Sequence, residues 1–154
     1  MTQQLSVLPP STHLPVEHLA ASFNNVTNSY KFYWLLAILE HIKEEQTPRV
    51  AIDTLLARMV SSVWYPTNYF HLSFGKQDRL GQIALGIKAE TNIPDDAPRH
   101  EIIETATACM QQKSPLQKEI RTLGRYVPYR FLRPFFSDDL KKQKDLGLTQ
   151  GTLR

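Results

Sequence analysis

The chain has 154 residues, 42% of them apolar and 21% charged, with a formal net charge of +3. That length suits one hydrophobic core, and the composition is far from that of disordered chains, which are too polar to bury enough surface. Its single cysteine, Cys109, excludes an internal disulfide and a cysteine-based zinc site, while the longest apolar run, residues 32–39, falls well short of the roughly 20 residues that cross a bilayer.

Residues 1–13 contain Pro9-Pro10 and a Ser-Thr pair and lack the basic start and apolar core of a secretory signal. They read as a flexible leader. With one thiol and no span, a cytoplasmic protein without a membrane partner is expected. Helical signals begin at Pro15, a favoured first helical residue, and Val16, Leu19, Ala20 and Phe23 keep one face. Asn24-Asn25 breaks that helix, and Thr27 or Asn28 can cap a longer one over 29–45. There Phe32, Trp34, Leu35, Leu36, Ile38, Leu39 and Ile42 cover nearly every side, so this helix is expected at the buried centre.

Arg49 to Ile52 reads as a short extended entry, and Asp53 is placed to cap the next helix. In that helix Leu55, Leu56, Met59, Val60, Val63 and Trp64 recur as adjacent pairs every four residues, a one-sided stripe that ends at Pro66. Residues 67–74 show no decisive period. Gly75 permits a turn, Asp78 can cap a helix with Leu80, Ile83, Ala84 and Ile87 inside, and a close helix crossing would account for Gly81 and Gly86.

After a Pro- and Asp-rich loop over 92–98, Ile102, Ile103, Ala106 and Met110 form another inward face. Ser114-Pro115-Leu116-Gln117 is a strong helix start, with Leu116, Ile120 and Leu123 buried and Gly124 able to end it. Residues 125–136 mix arginines and aromatics around two prolines, and 137–154 form a polar tail expected to fray. The reading is a mainly α domain over 14–136, about six helices around a buried central helix, with little or no sheet.

No catalytic motif emerges. The five histidines, His13, His18, His41, His71 and His100, form no paired metal-ligand spacing, and each reads as a surface or hydrogen-bonded imidazole. No metal ligand or cofactor is assigned to this chain. Nucleophilic catalysis needs a base held beside a Ser or Cys, and no such arrangement is visible. Cys109 lies by the stripe of Ala106 and Met110, which favours a buried, inert thiol. Lys76 and Arg79, near a helix start, offer a weak anion site, although Gly75 and Asp78 are already explained as turn and cap.

Charge is unevenly placed. Residues 1–77 balance five bases (Lys31, Lys43, Arg49, Arg58, Lys76) against five acids, whereas over 113–133 six bases (Lys113, Lys118, Arg121, Arg125, Arg130, Arg133) face only Glu119. Lys118, Arg121, Arg125, Tyr126, Tyr129, Arg130 and Arg133 combine cations for phosphates with rings for bases, a composition that suits nucleic acid. The competing account has Tyr126, Phe131 and Phe135 anchoring the end of the core while the arginines are solvated or paired.

Leu14-Pro15, Phe23-Asn24-Asn25, Tyr30-Lys31-Phe32-Tyr33-Trp34, Ala57-Arg58-Met59 and Val63-Trp64-Tyr65-Pro66 resemble the amino-terminal region of a group of bacterial HNH endonuclease domain proteins. So do Asn68-Tyr69-Phe70, Leu72-Ser73-Phe74-Gly75-Lys76-Gln77-Asp78 and Val127-Pro128-Tyr129-Arg130-Phe131-Leu132, and the likeness spans most of 14–136. In that family the nuclease motif follows in a longer chain, where a histidine activates water and others hold a divalent metal. None of these histidines sits in such a motif, so no catalytic residue carries over. The resemblance implies an accessory domain that positions DNA or a partner for a nuclease in restriction or phage defence. An interaction or self-association domain, docking through its aromatic-rich segment on another subunit, is the alternative.

Overall fold

The structure, a computed structural model, describes residues 11–14, 16–24, 29–73 and 78–136. Among them it contains six α-helices and no strand: α1 (Val16–Ser22), α2 (Tyr30–Glu45), α3 (Ile52–Asn68), α4 (Arg79–Thr91), α5 (Arg99–Gln111) and α6 (Pro115–Leu132). The expected all-α class is found. No helix among the described residues is long and apolar enough to cross a membrane. The expected tail over 137–154 and most of the leader lie outside the described residues, as do Thr27, Asn28, Gly75 and Lys76.

The backbone divides into two compact units, residues 27–128 and residues 1–26 with 129–154. The sequence shows no change of composition at either boundary. In the larger unit the central helix is α3, against which α2, α4 and α5 pack. Residues 55–60 are all buried, as are Val63, Trp64, Thr67 and Asn68. This corrects the expectation that α2 is the centre. Only Lys31, Trp34, Ala37 and His41 of α2 are buried, while Phe32, Leu36, Leu39 and Ile42 face outward.

Three helix boundaries also differ from the sequence reading. Asp53 does not cap α3, whose N-cap is Ala51, because the helix starts at Ile52, two residues earlier than a cap at Asp53 implies. Its carboxylate lies in the first turn, where it still complements the helix dipole. Pro66 does not end α3, since it lies within the last turn and its missing N–H forgoes one bond while Tyr69 still donates to the Tyr65 carbonyl at 3.0 Å. Nor does Gly124 end α6, which continues through Pro128 to Leu132. Gly124 serves instead as a point of close approach: a β-carbon there would lie 2.8 Å from Leu56 Cδ1 and 3.4 Å from Ile52 Cγ2. The crossing expected at Gly86 is present too, with Leu116 Cδ1 3.0 Å from the same virtual atom.

Polar groups fix the helix ends. Asp78 caps α4 as expected, its Oδ1 accepting from the Leu80 N–H at 3.0 Å. Its Oδ2 accepts from the Ser29 hydroxyl at 2.8 Å, which ties the start of α2 to the start of α4. Burial first, and the Asp78 carboxylate second, push the Tyr33 phenol above its ordinary value. Arg99 grips Glu40 with both terminal guanidinium nitrogens, and the buried Arg58 pairs with Glu44 and Glu45. Fully buried Trp64 donates Nε1–H to the Pro94 carbonyl at 3.2 Å, which fastens the α4–α5 loop to the core.

In the smaller unit, Ser22 at the end of α1 is fully buried, and its single hydroxyl proton is shared between the carbonyls of Phe131 (2.8 Å) and His18 (3.1 Å). Phe23 meets Phe131 edge to face, with ring centroids 5.8 Å apart, and His18 lies at the same centroid distance from Phe135. Phe131 is buried, so it anchors apolar packing as the competing account of the aromatics has it.

Candidate nucleic-acid interface

The basic segment is carried by α6, and the local sequence explains why a helix forms there. Ser114 Oγ accepts from the Gln117 N–H at 3.0 Å, and Pro115 supplies a fixed φ at the first helical position. Gln117 does not reach back to the cap. Its Nε2 donates to the Met110 carbonyl at 2.7 Å, which joins the end of α5 to the start of α6. Leu116, Ile120, Leu123 and Val127 are buried on one side.

That inward stripe sets the opposite face. Lys118, Arg121 and Arg125, spaced i, i+3 and i+7, lie on the outward side of α6 and are all exposed. Among the described residues no carboxylate pairs with any of them. Tyr126 stands on the flank, 48% exposed, so it does not anchor the core as the competing account requires. Tyr129, Arg130 and Arg133 belong to the smaller unit, where Arg130 and Arg133 are exposed and Tyr129 is half-buried.

This arrangement works against helix stability. Lys118 closes the first turn, where the positive end of the dipole disfavours a cation. Arg121 and Arg125 are like charges at i and i+4, which destabilise a helix by a few tenths of a kcal/mol. A face held in this state is suited to a polyanion, whose phosphates would supply the missing countercharge.

Other candidates fare less well. Lys76 is outside the described residues. Arg79 is exposed at the start of α4 and lines a cleft of about 520 Å³ with Gln82, Glu90, Leu116 and Glu119. Two carboxylates in the same cleft oppose an anion. A smaller cleft of about 190 Å³ gathers Thr67, His71, Ser73 and Asp78, but both Asp78 oxygens already accept hydrogen bonds. Among the described residues no three His, Cys, Asp or Glu side chains converge to hold a metal. His41, buried, has Nε2 3.0 Å from the Arg49 carbonyl, and Cys109 is buried and free.

Sequence reasoning missed an aromatic cluster at the end of α3. Tyr65 and Tyr69 stack with ring centroids 4.6 Å apart, and Phe70 stands edge-on to both at 5.2 Å. All three are exposed. The i, i+4 spacing of the tyrosines was the available signal, hidden by reading Pro66 as a helix end. Desolvation first, then Tyr69 and the Asp96 carboxylate, push the Tyr65 phenol above its ordinary value. Comparison with known proteins finds no matching family model, no matching curated protein and no matching solved structure.

Proposed function

We propose that this chain is a helical accessory module that positions DNA for an HNH-type nuclease in a bacterial restriction or phage-defence setting, with the outward face of α6 against the phosphate backbone. The supporting observation is the exposed series Lys118, Arg121 and Arg125, which lacks carboxylate partners among the described residues. The nuclease assignment rests on the sequence resemblance alone. The module contributes binding and orientation, and the divalent metal belongs to the nuclease motif.

The test is a mobility-shift titration of duplex DNA with the chain and with the K118A/R121A/R125A variant. The wild type should shift the duplex and the variant should bind at least about tenfold more weakly, since each lost phosphate contact removes a counterion-release contribution. Equal binding by both proteins, or no binding by either, would remove the DNA-facing role.

A further inference from the structure

The cations of α6 occupy one edge of its exposed surface. Successive residues turn about 100° around a helix, so Arg125 lies within about 20° of Lys118, and Arg121 within about 60° of it on the same side. Glu119 lies about 100° from Lys118 on the other side. It is exposed and has no ion-pair partner among the described residues. It also lines the cleft between α4 and α6, where Glu90 is exposed and equally unpaired among the described residues. The cation in that cleft, Arg79, stands at the other end of α4, about 16 Å from Glu90 along the helix. One flank of α6 is therefore basic and the other acidic.

We infer that α6 lies along one strand of a DNA duplex and stays out of the major groove, so that it holds phosphates and reads no bases; the inference rests on the DNA-facing role proposed above. A helix with its side chains is about 10–12 Å across and fills a major groove about 12 Å wide, which brings a phosphate strand against each flank. Seated there, α6 would press Glu119 and the cleft beyond it towards the second strand, where like charges repel. Turned so that Lys118, Arg121 and Arg125 meet a single strand, the same helix carries Glu119 away from the phosphates. Contacts of this kind position a duplex without carrying sequence information. Glu119 thus sets the binding mode by restricting α6 to the backbone.

Enrichment from a pool of duplexes with randomised centres, together with binding to a duplex whose major groove is filled by glucosylated 5-hydroxymethylcytosines, tests this inference. Successive rounds of capture by the full chain should enrich no sequence. The filled groove should change affinity by less than about tenfold, against the roughly thousandfold or more that separates base reading from backbone binding. An enriched sequence, or a tenfold or greater loss on the filled duplex, overturns the inference and leaves the DNA-facing role in place. K118A/R121A/R125A should bind plain and filled duplexes with equal weakness. No binding of any duplex by the wild type, or binding that survives in this variant, removes the DNA-facing role itself and this inference with it.

Discussion

Leu56 Cδ1 lies 2.8 Å from the position a β-carbon on Gly124 would occupy, so α6 passes α3 where only glycine fits without displacement. Gly124→Ala adds a methyl to a packed contact, a change that costs about 1–3 kcal/mol. Alanine's better helix propensity offsets about 1 kcal/mol. Chemical denaturation should therefore show a net loss near 1 kcal/mol. A second substitution, Leu56→Val, should make the added methyl less costly, and additive effects in the double-mutant cycle would contradict the contact.

Arg121→Glu separates binding from stability. Glutamate there meets Lys118 three residues before and Arg125 four residues after, replacing two repulsions with two attractions. The thermal midpoint should hold or rise slightly while DNA affinity falls. A marked drop in melting temperature would show that Arg121 supports the fold.

Glu44 gives a pH-dependent prediction. Its carboxyl is held below the ordinary range, chiefly by the hydrogen bond from Arg58 and further by that guanidinium's charge, with partial burial acting in the opposite sense. A depressed folded value means that the contribution is fully present above the unfolded carboxylate value of about 4.3 and fades as pH falls through the folded value. The Glu44 side chain is about half exposed, so solvent screening keeps the effect within about 1 kcal/mol. Glu44→Gln should lower stability at neutral pH and flatten its decline below about pH 4. Equal acid curves for both proteins would dismiss the pair as a stabilising contact.

Cys109 should react slowly. The side chain is buried, and burial first, then the Glu90 carboxylate, push the thiol above its ordinary value. A folded value raised in this way leaves its stability contribution intact below the unfolded thiol value and removes it as pH rises past that point. Disulfide-exchange labelling at neutral pH should follow unfolding, so that denaturant accelerates it by orders of magnitude. Rapid labelling of the native chain would place the thiol at the surface.

Much of the fold was legible because α3 to α5 obey simple periodicity. The stripe of Leu55, Leu56, Met59, Val60, Val63 and Trp64 is buried as expected, and the caps at Asp78 and Ser114 form through the side-chain atoms their sequence suggested. Gly124 and Pro66 misled because glycine and proline end helices only when nothing else holds the next turn. Here Gly124 meets Leu56, and Pro66 lies in the last turn of α3. The centre of the fold was misplaced for a different reason. Composition reports that Phe32, Leu36, Leu39 and Ile42 avoid water, but not whether this chain or another molecule covers them.

The candidate site was legible in part. Alternating bases over 118–133 located it, and helical spacing brings Lys118, Arg121 and Arg125 onto one exposed face. Tyr126 and Phe131 could not be separated by composition, because exposure depends on what each packs against: Phe131 is buried within the smaller unit, whereas Tyr126, beside the stripe of Ile120, Leu123 and Val127 in the larger one, is exposed. The cluster of Tyr65, Tyr69 and Phe70 required the last turn of α3, which only the folded chain supplies.

The most direct test of the α6 interface is the slope of DNA affinity against salt, measured by fluorescence anisotropy on a duplex. Three phosphate contacts predict log K falling with log salt at a slope near about −3, decreasing by about one for each of Lys118, Arg121 and Arg125 replaced with alanine. A slope near zero, or one that these replacements leave unchanged, would contradict a phosphate-facing α6.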